Sequence, residues 1–153
     1  MFKRILIPTD GSAASMAAVD AAVDFAHACG AAVFGLHVTP LRPLFSEVLG
    51  VLSAPEHEER AQECLAYVER RAAQAGLTAA VSTRRADSPA DAIIAAARDL
   101  HCDLIVMGSR GRGQASALLL GSQTQGVLAH SAIPVMVVRQ AQGGSGALKA
   151  QVP

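Results

Sequence analysis

Aromatic side chains are scarce in this 153-residue chain: four phenylalanines, one tyrosine and no tryptophan, 3% in all. Any core must therefore be aliphatic and rich in alanine. Cysteine is scarce too. Cys29, Cys64 and Cys102 are odd in number, far apart and never form C-x-x-C. That spacing excludes a disulfide framework, disfavours a zinc site, and reads as buried structural thiols. Net charge is absent, with 13 basic against 13 acidic residues and no long basic run. A general nucleic-acid or membrane-surface binder has no support from such a balance. No apolar stretch reaches the ~18–20 residues needed to span a bilayer. The opening "MFKRILIPTDGS" has two positive charges and an apolar run, but Pro8 and Asp10 interrupt it too early for a signal sequence. The chain therefore reads as cytoplasmic, with no membrane or nucleic-acid partner.

What is present is a globular composition, 51% hydrophobic and 17% charged, at a length that suits one domain. Short apolar runs alternate with helical patterns. "RILIP" reads as a first strand that Pro8 ends. Ser12 caps a helix whose apolar positions are Met16, Val19, Val23 and Ala26, and Gly30 stops it. "AAVFGLHV" is a second strand, followed by a Pro-punctuated stretch over 40–55. Pro55 opens a second helix, with Glu56, Glu58 and Glu59 at its positive end and a stripe of Ala61, Cys64, Leu65, Val68 and Ala72. "AAVSTRRA" is a polar, edge-like third strand. Ser88 and Pro89 then start a helix that runs to about Leu100, and Asp91 stands where a capping box would be completed. "DLIVMG", a helix from Ser122 to about His130, and "IPVMVVR" follow. The Gly-rich tail over 140–153 reads as disordered, leaving residues 1–139 as the folded domain.

This alternation predicts an α/β fold: one doubly wound, five-stranded parallel sheet in the order 3-2-1-4-5, with helices on both faces. Ligands bind such sheets beyond the carboxyl ends of the strands, at the switch point between strands 1 and 4. The loops that meet there are "PTDGS" and "GSRGRG". Gly108, Gly111 and Gly113 permit positive φ and close backbone approach, and a helix N-terminus at Gly121-Ser122 adds anion-binding amides. Arg110 and Arg112 add charge, and Leu118 to Leu120 anchor the segment to the core. A Walker A loop is excluded because Gln114-Ala115 replaces Lys and Ser/Thr. The dinucleotide fingerprint is absent after strand 1, as is an S-G-G-x-D-S run.

The spacing Gly108, two residues, Gly111, nine residues, Gly121-Ser122 resembles the G-2x-G-9x-G-(S/T) signature of ATP-binding universal stress proteins. "ILIPTDGS", "LHV" from Leu36 to Val38, "DLIVMGSRGRG" and "GSQTQGVLAHSAIPVMVVR" resemble further segments of that family, in order, over about residues 2–139. The resemblance implies that Asp10 meets the ribose or phosphates and that the Val38 backbone meets adenine. Gly108 and Gly111 would let the loop wrap the phosphates, with Gly121 and Ser122 as donors. Pro8, Thr9, Met107, Arg110 and Gln123 complete the implied ATP site. Mg²⁺ would be held through ATP oxygens and Asp10. Gln123 and Gln125 depart from the family pattern, and the change is expected to bear on surface contacts more than on the pocket. The resemblance further implies a homodimer through strand 5, Pro134 to Val138.

The function implied is an ATP-binding stress-response or signalling module that reports to an unidentified protein partner, with slow or no hydrolysis and no catalytic residues. A nucleotide-free dimeric interaction module and a weak adenine-nucleotide hydrolase are the alternatives. The intact glycine signature disfavours the first, and the missing Walker lysine disfavours the second. Elsewhere plain readings win. Asp20 and Asp24 form a solvated helix face. Arg84-Arg85 guards an edge. The histidines lack H-x-x-x-H spacing, and only His37, beside the implied adenine edge, stands out.

Overall fold

The computed structural model describes residues 1–41, 52–111 and 119–140. Arg112, Gly113, Leu118, most of the 40–55 stretch and the tail from 141 onward lie outside them. The described elements are β1 (Arg4–Pro8), α1 (Ala13–Cys29), β2 (Ala32–Thr39), α2 (Ala54–Gln74), β3 (Ala79–Arg85), α3 (Pro89–Asp99), β4 (Leu104–Gly108), α4 (Ser122–His130) and β5 (Val135–Val138). The five strands form one sheet in the order β3-β2-β1-β4-β5, parallel at every pairing. The strand alternation thus yields the doubly wound α/β sheet expected of it.

Each central strand is apolar on both sides because both faces are covered. Ile5 and Ile7 pack with Val33, Leu104 and Val106 against Val19, Val23 and Ala26 of α1 and Val68 of α2. Leu6, Leu36 and Ile105 point the other way, into Ile93 and Ala97 of α3 and Val127 of α4. Full burial of each Ile, Leu or Val contributes about 1.5–3 kcal/mol. Alanine on α1 and α3 lets those helices lie close to the sheet where aromatic residues are lacking. The thiols of Cys64 and Cys102 are buried and Cys29 is half-buried. Burial pushes the Cys102 thiol up to about 11, in keeping with an inert packing group.

Helix ends follow local chemistry. Ser12 caps α1 by accepting from the Ser15 amide, and Gly30 closes it at φ 69°. Ser53 caps α2 in a reciprocal box with Glu56, whose carboxylate accepts from the Ser53 amide at 2.6 Å. The stripe Ala61, Cys64, Leu65, Val68 and Ala72 is the buried face of α2. Ser88 caps α3 by accepting from the Asp91 amide. One core assignment is corrected. Met16 is 36% exposed, and α1 turns Ala14, Ser15, Ala18 and Ala22 inward instead. The buried face of α1 runs through positions 14, 15, 18, 19, 22, 23 and 26, and Met16 lies off that stripe.

Candidate functional site

The two loops at the switch point face each other across a cavity of about 510 Å³. The first is held rigid. Beyond Pro8, the Thr9 amide donates to Leu36 O at 2.8 Å, binding the loop to β2. The Thr9 hydroxyl pairs with Ser15 Oγ at 3.1 Å in a buried contact. Gly11 takes φ 77° to turn the chain, and the Ser12 amide donates to Asp10 Oδ1 at 2.9 Å. Asp10 is thereby positioned by the turn that starts α1.

The second loop is tied to β5 and α4. The Ser109 amide donates to Val138 O at 3.0 Å, and the Gly121 amide donates to Ser109 O at 2.8 Å. Thr124 Oγ1 donates to Gly108 O at 2.9 Å from a buried position. Gly121 is the N-cap of α4 and brings no side chain to occupy the first-turn amides. That helix N-terminus, with Ser122 beside it, borders the cavity and favours an anion.

All eleven residues expected at the site line this one cavity: Pro8, Thr9 and Asp10 from the first loop, Val38 from β2, Met107 and Gly108 from β4, Arg110 and Gly111 from the second loop, and Gly121, Ser122 and Gln123 at α4. Asp10 is the one carboxylate among the described lining residues. Among the described residues no cluster of His, Cys, Asp and Glu gathers around a metal position.

The glycines work differently from expectation. Neither Gly108 nor Gly111 has positive φ. A Cβ on Gly108 would stand 2.8 Å from the carbonyl of Ala14, so this glycine lets β4 touch the first turn of α1. A Cβ on Gly111 would stand 2.7 Å from Asp10 Oδ2, so this glycine lets the two loops meet. Gln123 is also more than a surface group. Its Oε1 accepts from the Ala90 amide at 2.9 Å and joins the N-termini of α3 and α4.

Nine further described residues line the cavity beyond the eleven expected, among them His57 and Arg60 of α2 and Ile93 of α3. His57 and Arg60 lie one helical turn apart just after the Ser53 cap, a spacing that places both at the same end of α2. His37 is buried in the wall, and its Nδ1 lies 2.8 Å from Thr9 O. Burial is the main cause that lowers its pKa. The Thr9 bond and Asp10 oppose this, while Arg60 and His57 assist it.

No helix among the described residues is long and apolar enough to cross a membrane. Known proteins are similar to this chain in sequence and in fold. A universal stress protein of Thermus aquaticus, from the region 3′ of a QAH/OAS sulfhydrylase gene, is 37% identical over 143 residues, spanning 91% of this chain and 100% of that one. The structure of protein MJ0577 of Methanocaldococcus jannaschii superposes with a TM-score of 0.76 at 28% identity, over 92% of this chain and 98% of that one. A universal stress protein crystallised in complex with cAMP gives a TM-score of 0.71 at 27% identity, over 92% and 99%. The universal stress protein family itself matches residues 1–139, every strand and helix described above, and the chain belongs to that family.

Proposed function

We propose that the cavity binds ATP and that the bound nucleotide sets the state of a stress-response or signalling module in the cytoplasm, read by a protein partner. One observation carries this reading: two loops and an uncapped helix N-terminus converge on a single cavity lined by Asp10, Arg110, Gly121 and Ser122. The N-terminal amides of α4 and Arg110 suit phosphate oxygens. The Val38 end of the cavity, apolar through Leu36, Val38, Ile93 and Met107, suits the base. The cAMP complex of a family relative supports an adenine nucleotide as the ligand. Mg²⁺ would ride on ATP oxygens with Asp10 as its single protein carboxylate, an arrangement Mg²⁺ commonly accepts.

Residues 1–139 are the nucleotide-binding unit in this reading. Turnover is slow in this reading, because among the described residues no lysine stands in the loops and no second carboxylate lines the cavity to orient water. Two copies pair through the free edge of β5, whose four residues are apolar and only half-buried in the single chain.

The test is direct. Purified protein is heat-denatured, and the supernatant is resolved against ATP, ADP and cAMP; in parallel the native protein is titrated with a fluorescent ATP analogue. Release of an adenine nucleotide, or saturable binding that unlabelled ATP reverses, is expected. Absence of both would remove the nucleotide and leave a ligand-free interaction module.

A further inference from the structure

His37 is 6% exposed and sits near the end of β2 in the cavity wall. Its Nδ1 lies 2.8 Å from the Thr9 carbonyl oxygen. A carbonyl oxygen only accepts, so Nδ1 carries a proton. In the neutral ring Nε2 is then a bare acceptor. It has no hydrogen-bond partner among the described residues. Neither is it sealed in, since every fully buried side-chain nitrogen or oxygen described has a partner. The opening left to it is the cavity that the ring lines. Burial keeps the ring neutral by lowering its pKa.

The polar groups of the cavity are thus unlike at its two sides. Beside β4 and α4 stand donors: Arg110, the Ser122 hydroxyl and first-turn amides. Beside β2 stands a lone pair on a ring whose orientation the Thr9 carbonyl fixes, with Arg60 of α2 as the donor on that side. Ionised phosphate oxygens only accept, and they have nothing to offer that lone pair. The nucleoside half of a nucleotide carries N–H and O–H donors.

We infer that His37 Nε2 is a preset acceptor for a hydrogen-bond donor on the nucleoside half of the ligand, either the exocyclic amine of adenine or a ribose hydroxyl. The inference rests on the nucleotide reading above and adds to it a residue that orients the ligand, nucleoside toward β2 and phosphates toward α4. A neutral hydrogen bond of this kind changes affinity roughly 2- to 13-fold.

The full chain is titrated calorimetrically with ATP and three analogues that each delete one donor: purine riboside triphosphate, 2′-deoxy-ATP and 3′-deoxy-ATP. One analogue should bind roughly 2- to 13-fold more weakly than ATP, and which one it is identifies the donor. His37→Asn puts an amide nitrogen where Nδ1 stood, keeping the Thr9 tie while deleting the acceptor, and the gap should close. His37→Gln puts an amide oxygen near Nε2, and part of the gap should return. In the wild type the gap should also close as pH falls through the lowered His37 pKa, because protonation makes Nε2 a donor. The charged and titratable groups facing the ring are Asp10 from the β1 loop and His57 and Arg60 from α2. His57 is present in both proteins, so a flat acid profile in His37→Gln assigns the effect to His37. If His37→Asn does not fold, the wild-type analogue series and its pH profile decide. Four equal affinities in the wild type, or a gap that survives in His37→Asn, would overturn the inference and leave ATP binding intact. A wild type that binds none of the four overturns the nucleotide reading and this inference with it.

Discussion

Replacing Gly108 with alanine should cost about 2–3 kcal/mol, far more than one methyl group ordinarily does. The added Cβ would lie 2.8 Å from both the carbonyl carbon and oxygen of Ala14, and 3.0 Å from the Ser15 amide nitrogen. These are backbone atoms in the first turn of α1. A side chain in their place could rotate away. A helical turn capped by Ser12, and tied to the β1 loop through the buried Thr9–Ser15 hydroxyl contact, moves only as a unit. Overpacking a filled interior costs roughly 1–3 kcal/mol, and a backbone obstacle places this case in the upper part of that range. With an m-value of about 2 kcal/mol/M in urea, the midpoint should fall by about 1–1.5 M at constant m. Gly30→Ala is the control. Gly30 has φ 69° and nothing within 4 Å of a Cβ, so its cost is left-handed strain alone, about 1 kcal/mol. If Gly108→Ala costs no more than Gly30→Ala, the close-approach explanation of Gly108 is wrong.

Gly111→Val should weaken binding of a fluorescent ATP analogue at least about tenfold, because its Cβ meets Asp10 Oδ2 at 2.7 Å and β-branching adds bulk there; unchanged affinity in a folded variant would refute the two-loop site. Val137→Pro should convert a dimer to a monomer in sedimentation while leaving the chain folded. The carbonyls of Pro134 and Val138 accept from Ile105 and Ser109, so by strand alternation the Val137 amide points to the free edge and not to β4. A variant that stays dimeric would move the interface elsewhere. Single-turnover hydrolysis of ATP with Mg²⁺ should run far below the ~1–100 s⁻¹ of kinases; a rate within that range would make the protein an enzyme.

Much of the architecture was legible because its signals are local. Ser12, Ser88 and Pro89 mark helix starts by chemistry that needs no tertiary partner, and the α2 stripe has unbroken helical spacing. The switch point followed from strand order, and with it the meeting of the Asp10 and Gly108–Gly111 loops. What stayed hidden depends on distance between separate elements. Gly108 and Gly111 look like turn glycines in the sequence, yet each is set by a neighbour far along the chain. The family resemblance places Gln123 at the site, but its tie to α3 shows only when the fold brings its oxygen to the Ala90 amide. His57 and Arg60 carry no motif and enter the wall only because α2 starts above the end of β2. Met16 misled because an alanine-rich helix marks its face weakly: the buried stripe runs through Ala14, Ser15, Ala18, Val19, Ala22, Val23 and Ala26, and Met16 falls outside it.

The two margins of the sheet differ in kind. β3 carries Arg84 and Arg85, and Arg84 is held by Asp99 at 2.9 Å. β5 offers Val135 to Val138 with no charge at all. A sheet adhesive on both margins can add copies without end, which is the geometry of a fibre. A sheet adhesive on one margin, joined to its like by a twofold rotation, has nothing left to offer a third copy, and growth stops at two. In the β5-paired dimer proposed above, the two arginines at the far margin would act as a terminator, limiting the size of the assembly without touching the surface that forms it.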